Sequence, residues 1–377
     1  MKKLIIILIT LLFCGCEEKI LTYEKNFVFE YNQIVSLYDI IISNDINTKN
    51  FNIDTSELGK YSLTFKIENQ KYILHYSVVD STSPILQASS TYYIEKGKKL
   101  DLKSKLFFGD NYDRDVELQI IGDYDVNTIG EYPIKFVATD DAGNVTEKES
   151  KVVVVKKIQS GSNNINYFKF EDLKKKYKTD DTMVGIDVSV WQGDIDFKKV
   201  KEAGCEFVMI RIGYGYDSKG NNVMDTRFLE NIKKAKEANL LVGLYYYSYT
   251  DNKEDAKKQA KWIIDQLNGE TLDLPIAFDW EIWTSFDDYK INFYDLNEIA
   301  KSFMDEVEKY GYKGMLYGSM NYLNNVWNLP NYPTWLAHYT SKTSYEKDYY
   351  IWQLSSSGKI DGINGPVDLD VLYKKSY

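Results

Sequence analysis

Two hydrophobic rhythms divide the chain. Up to about residue 157, apolar and polar residues alternate, as in Tyr61, Leu63 and Phe65 and again in Tyr132, Ile134 and Phe136. That is the period of a half-buried strand. From Val184 onward, short apolar runs at 184–190, 207–212 and 240–245 alternate with stretches at helical spacing. Phe228, Ile232 and Ala235 form one such stripe, and Leu296, Ile299, Ala300, Phe303, Met304 and Val307 form a longer one. Apolar strands separated by helices predict a parallel sheet covered on both faces, and about eight strand candidates suggest a small barrel. The last candidates, at 334–338, 349–354 and 367–372, lie too close together for full helices between them. The barrel is therefore expected to be irregular and thinned near its C-terminus.

The alternating half contains a repeat. Asp54, Gly59, Tyr61 and Phe65 recur in step as Asp125, Gly130, Tyr132 and Phe136, with Leu58 and Leu63 replaced by Ile129 and Ile134. Asp141-Ala-Gly-Asn144 then supplies the backbone conformations of a hairpin turn before a run of valines at 152–155. A Gly-x-Tyr strand leading into such a turn resembles bacterial Ig-like surface domains. The expected organisation is multidomain: a signal segment at 1–15, all-β Ig-like sandwiches at 16–82 and 83–157, a polar linker at 158–182, and an irregular α/β (TIM-like) barrel at 183–377. The β modules carry no catalytic constellation and read as spacers, and His75, inside a strand-like run, reads as structural.

Composition narrows the class. Two His and three Cys argue against a zinc site built from those ligands, and a net charge of −10 argues against nucleic acid as the partner. Lys2 and Lys3 precede an apolar stretch at 4–13 that is shorter than the ~20 residues a membrane span needs. Gly15-Cys16 follows directly and resembles a bacterial lipobox, which implies removal of 1–15, lipidation of Cys16, export, and anchoring on the outer face of the cytoplasmic membrane. Cys205 would then have no disulfide partner and reads as a small apolar core residue.

The chemistry concentrates at strand ends. Asp279 and Glu281 close the apolar run at 274–279. On a strand their side chains would point the same way, roughly 6.6–6.8 Å apart along the backbone. Like charges at that range hold one carboxyl protonated, which suits glycoside hydrolysis, where one acid protonates the leaving oxygen and a second stabilises or attacks the sugar. Asp187 ends the first barrel strand, while Asp368 and Asp370 lie on the last. In a closed barrel those strands are neighbours, so the acids are expected to converge.

IDVSVWQGDIDF, FVMIRIGYG, AFDWE, WLAHY and the WQL…PVDLDV ending resemble glycoside hydrolase family 25, the lysozyme-like N-acetylmuramidases, over about 184–373. The resemblance implies cleavage between N-acetylmuramic acid and N-acetylglucosamine with retention, catalytic positions at Asp187, Asp279, Glu281 and Asp368, and Glu281 as proton donor. Asp279 would orient or stabilise the reacting centre, and the sequence leaves open which carboxylate, if any, attacks covalently. No metal or organic cofactor is implied, and a monomer acting on peptidoglycan is expected. Tyr246 stands where the family commonly has His. Tyr245, Tyr317 and Trp335 are expected to line the sugar groove, whereas Trp191, Trp280 and Trp283 read as packing as readily as groove. Arg211 is expected either to hold an acid inside the barrel or to reach substrate. The rival functions are a glycan-binding lipoprotein without hydrolysis and an enzyme on another N-acetylated glycan such as chitin.

Overall fold

The computed structural model describes residues 20–22, 26–40, 51–67, 70–158, 167–215 and 221–374. The signal segment with Cys16, and linker residues 159–166, lie outside the described residues. The chain divides into two units, Met1–Thr82 and Ser83–Tyr377.

Both repeats build the same strand pairing. In the first, Gly59–Ile67 pairs antiparallel with Gln70–Val79, which takes Phe27–Glu30 in parallel on its other side. In the second, Gly130–Thr139 pairs antiparallel with Val145–Val155, which takes Tyr92–Glu95 in parallel. The recurring tyrosine has the same use in each. Tyr61 Oη donates to the Glu57 carbonyl at 3.0 Å and Tyr132 Oη to the Thr128 carbonyl at 2.9 Å, satisfying a loop carbonyl just ahead of the strand. In the first unit His75 Nδ1 meets Ser62 Oγ across the hairpin at 2.7 Å. These modules are small β-sheets.

The second unit also holds the barrel, whose strands are β1 (Thr182–Val188), β2 (Phe207–Tyr214), β3 (Leu241–Tyr247), β4 (Ile276–Asp279), β5 (Gly314–Ser319), β6 (Thr334–Ala337), β7 (Ile351–Lys359) and β8 (Val367–Tyr373). Neighbours from β1 to β7 run parallel, and β8 closes the ring antiparallel to both β7 and β1. That inversion explains the close spacing of the last strands, because an antiparallel pair needs no crossover helix. Helices α1 (Phe197–Glu202), α2 (Phe228–Glu237), α3 (Lys253–Leu267) and α4 (Phe293–Glu308) pack outside.

Alternation along each strand makes two cores. Val184, Ile186, Val208, Ile210, Val242 and Leu244 face outward against the helices. Phe207, Met209, Ala277, Met315, Tyr317, Trp335 and Ile351 fill the barrel. Gly185 is required inside, since a Cβ there would meet the Phe207 ring at 2.5 Å.

The second β module is joined to the barrel through its strand Phe107–Gly109. Phe108 enters the module core and Phe107 enters the barrel cluster, where it meets the rings of Trp283, Phe286, Phe293 and Tyr322 at 5.1–6.0 Å. Arg114 adds a two-pronged pair with Asp295 at 2.6 and 3.0 Å, and Lys290 bonds Asp115 at 2.8 Å. The module that read as a spacer is therefore packed against the barrel, because successive phenylalanines on one strand face opposite sides.

Candidate active site

Strand register brings the acids together at one end of the barrel. Asp187 on β1 sits directly opposite Asp368 on β8, and Gly185 opposite Asp370, which is also in register with Gln353 on β7. Asp279 is the last residue of β4 and is in register with Tyr247 on β3. The strand ends there, so Glu281 lies on the following loop and not on the strand as its spacing suggested. It is exposed at the barrel mouth, while Asp187, Asp279 and Asp370 are buried.

Gln353 organises the interior. Its Nε2 donates to Asp187 Oδ2 at 2.8 Å, and its Oε1 accepts the hydroxyls of Tyr317 at 3.0 Å and Tyr339 at 3.1 Å. The phenols thereby fix which end of the amide meets the carboxylate. Trp335 Nε1 donates to Asp370 Oδ1 at 2.9 Å. Sequence reasoning assigned no role to Gln353 or Tyr339, although Gln353 lies within the WQL stretch. Asp370, which the sequence places on the last strand two residues from Asp368, joins the other acids as expected.

Two aromatic expectations need correction. Trp335 is 1% exposed and Tyr317 7% exposed, so neither presents an open ring face to a sugar; both fill the barrel beside Tyr245. Trp191, which read as packing at least as readily, is 82% exposed on the loop after β1. Tyr339, at 57%, and Tyr249, at 40%, are also open rings. Trp280 and Trp283 do pack: Trp280 is buried with its Nε1 on the Thr250 carbonyl, and Trp283 stacks on Tyr322 at 3.7 Å. Tyr246 faces outward, buried against Trp262 and Phe303, with its hydroxyl on Asn222 Oδ1 at 2.7 Å. It lies behind the site, so it need not act as a titrating group.

Arg211 holds an acid, but one the sequence did not single out. Asp225 accepts from Arg211 Nε at 2.8 Å, from Nη2 at 2.8 Å, and from the backbone N–H groups of Val190 at 3.0 Å and Arg227 at 2.9 Å. This bolts the loop after β1 to β2. Cys205 is buried at the approach to β2, and burial pushes its thiol far above the range of a reactive cysteine.

The crowded carboxyls all hold protons more tightly than usual. Burial, then Asp368 and Asp370, drives Asp187 well up. Burial, then Glu281, does the same to Asp279 against a smaller opposing pull from Arg211. Glu281 is raised by the protein packed around its open edge and by Asp368. Burial lifts Asp368 to about 6 and Asp370 to about 8. A group whose acid form is favoured by folding stabilises the protein at low pH and loses that contribution as pH rises from its unfolded to its folded value. For Asp370 the window runs from 3.8 to about 8. Asp370→Asn keeps an acceptor for Trp335 and removes the charge. In denaturant unfolding its stability should therefore fall less than wild type's between pH 4 and 8.

Residues 186–363 match the family model described as glycosyl hydrolases family 25. The uncharacterized protein YegX of Escherichia coli (strain K12) is 31% identical over 196 residues, covering 50% of this chain and 69% of the relative. The autolytic lysozyme of Clostridium acetobutylicum is 30% identical over 193 residues, covering 50% of this chain and 55% of the relative, so the chain spans about half that relative's length. A solved family 25 glycosyl hydrolase from Bacillus anthracis aligns over 56% of this chain and 95% of its own, with 24% identity and a TM-score of 0.47. The family match and the coverage of YegX together place the chain: it belongs to glycosyl hydrolases family 25 and is a glycoside hydrolase.

Proposed function

We propose that the barrel cuts peptidoglycan between N-acetylmuramic acid and N-acetylglucosamine with retention of configuration. The observation that carries this reading is the gathering of carboxyls with raised proton affinity at one barrel mouth, with Glu281 exposed, Asp368 half-buried, and Asp187 and Asp279 buried. Glu281 donates its proton to the leaving oxygen. Asp279 is 5% exposed, and its Oδ1 has no hydrogen-bond partner among the described residues. That buried oxygen is free to accept the N–H of a substrate acetamido group, whose carbonyl oxygen then attacks the anomeric carbon. Water opens the resulting ring and gives its proton to Glu281. Asp187 and Asp368, opposite one another, set the charge around the reacting centre. The lysozyme name of the Clostridium relative supports peptidoglycan as substrate.

We further propose that the protein is an exported monomer, lipidated at Cys16 and carrying Ig-like β modules between lipid and barrel. The lipobox-like sequence supports the anchor. Metabolic labelling with a palmitate analogue, lost in Cys16→Ala, tests it.

The activity is tested by digesting purified peptidoglycan with the full chain and identifying new ends by mass spectrometry. New muramic-acid reducing ends are expected. Bound but uncut glycan would leave a binding protein, and cleavage of chitin oligomers alone would move the substrate class.

A further inference from the structure

Away from the barrel mouth, three carboxylates converge inside the second β module. Asp110 follows strand Phe107–Gly109, Asp113 lies three residues on, and Asp140 follows strand Gly130–Thr139. Their oxygens lie within 4.8 Å of one another, and the residues are 0%, 8% and 6% exposed. Like charges this close and this deep are costly without a counter-charge. Among the described residues no Lys, Arg or His pairs with any of the three.

Their hydrogen bonds are local and incomplete. Asp110 Oδ1 accepts the N–H groups of Tyr112 at 2.8 Å and Asp113 at 2.9 Å. Asp113 Oδ2 accepts that of Asp141 at 2.9 Å. Asp140 accepts the backbone N–H of Asn144 at 2.7 Å and its side-chain amide at 2.9 Å. The other oxygen of the fully buried Asp110, Oδ2, has no hydrogen-bond partner. A buried carboxylate oxygen left open within an acidic cluster calls for a ligand that supplies positive charge.

We propose that Asp110, Asp113 and Asp140 bind one Ca²⁺ ion. Purely oxygen donors select a hard cation and exclude zinc. Ca²⁺ accepts irregular sets of protein oxygens, whereas Mg²⁺ demands near-octahedral geometry and keeps its waters, for which a pocket this closed leaves little room. The consequence reaches the enzyme. The Asp110 carbonyl accepts the N–H of Phe293 at 2.8 Å, the Tyr112 carbonyl accepts from Asn292 Nδ2, and Arg114 pairs with Asp295. The same short loop that supplies two ligands thus clamps the N-terminus of α4. Ca²⁺ fixes the joint between module and barrel.

The test uses the full chain stripped with EGTA, then titrated with CaCl₂ by isothermal calorimetry and scanned by differential calorimetry. Saturable binding of one ion is expected, with a Kd on the order of 0.1–1 mM as in extracellular modules, together with a Ca²⁺-dependent rise in Tm that Mg²⁺ does not reproduce. Asp110→Asn should lose both the binding and the rise. If that variant does not fold in EGTA, Asp113→Asn is read in the same way. The absence of saturable heat and of any Tm shift in wild type up to about 10 mM Ca²⁺ overturns the proposal. So does wild-type Ca²⁺ affinity in a folded Asp110→Asn, which would put the ion elsewhere.

Discussion

Glu281→Gln should lower kcat on peptidoglycan by about 10²–10⁴-fold, the usual contribution of a positioned general acid, while the protein stays folded and still binds glycan. The two parts of this expectation rest on different features. Glu281 is exposed and its side chain makes no hydrogen bond among the described residues, so an isosteric amide removes no structural contact and Tm should not move. The loss of rate follows from the proton, which an amide does not donate. Because the protein packed around its open edge and Asp368 both raise Glu281, the protonated acid persists to higher pH than an ordinary glutamate would. Activity should then fall on the alkaline side as Glu281 ionises. Asp368→Asn removes one of those two causes and should move that limb to lower pH. A Glu281→Gln enzyme with kcat within a few-fold of wild type would remove the residue from the proposed role.

The barrel and the meeting of its acids were legible because both depend on local rules. Apolar runs ending in an acid marked Asp187 and Asp279 on their strands and Asp368 and Asp370 on the last, and closure of a barrel makes its first and last strands neighbours. Aromatic character at a strand end misled at Tyr317 and Trp335. Whether such a ring meets sugar or other side chains depends on what fills the level of the barrel it enters. There, Tyr245, Gln353 and Asp370 occupy that space. Phe107 and Phe108 show the limit from another side, since adjacent phenylalanines announce a strand but not that each face will serve a different core. Gln353 meets Asp187 across 166 positions and Asp225 meets Arg211 across 14. Neither pairing leaves a local pattern, because a lone polar residue becomes a partner only once the chain has closed.

Asp225→Ala should cost about 3–5 kcal/mol, the usual penalty for breaking a buried ion pair from one side. The Asp225 side chain is fully buried and that of Arg211 only 14% exposed, so the stranded guanidinium gains little water in return. The N–H groups of Val190 and Arg227 lose their acceptor as well, each a further cost of about 1–3 kcal/mol if water cannot reach it. Together these should lower Tm by on the order of 10 °C. Asp225→Asn keeps an acceptor oxygen and should lose less. The decisive comparison is with the double variant Arg211→Met, Asp225→Leu: if the unpaired charge is what destabilises Asp225→Ala, removing both partners should recover much of the loss in a denaturant melt. A double variant as unstable as the single would show instead that the two backbone N–H groups dominate, and that Asp225 holds the loop after β1 chiefly as their acceptor. A single variant within 1 kcal/mol of wild type would contradict both accounts.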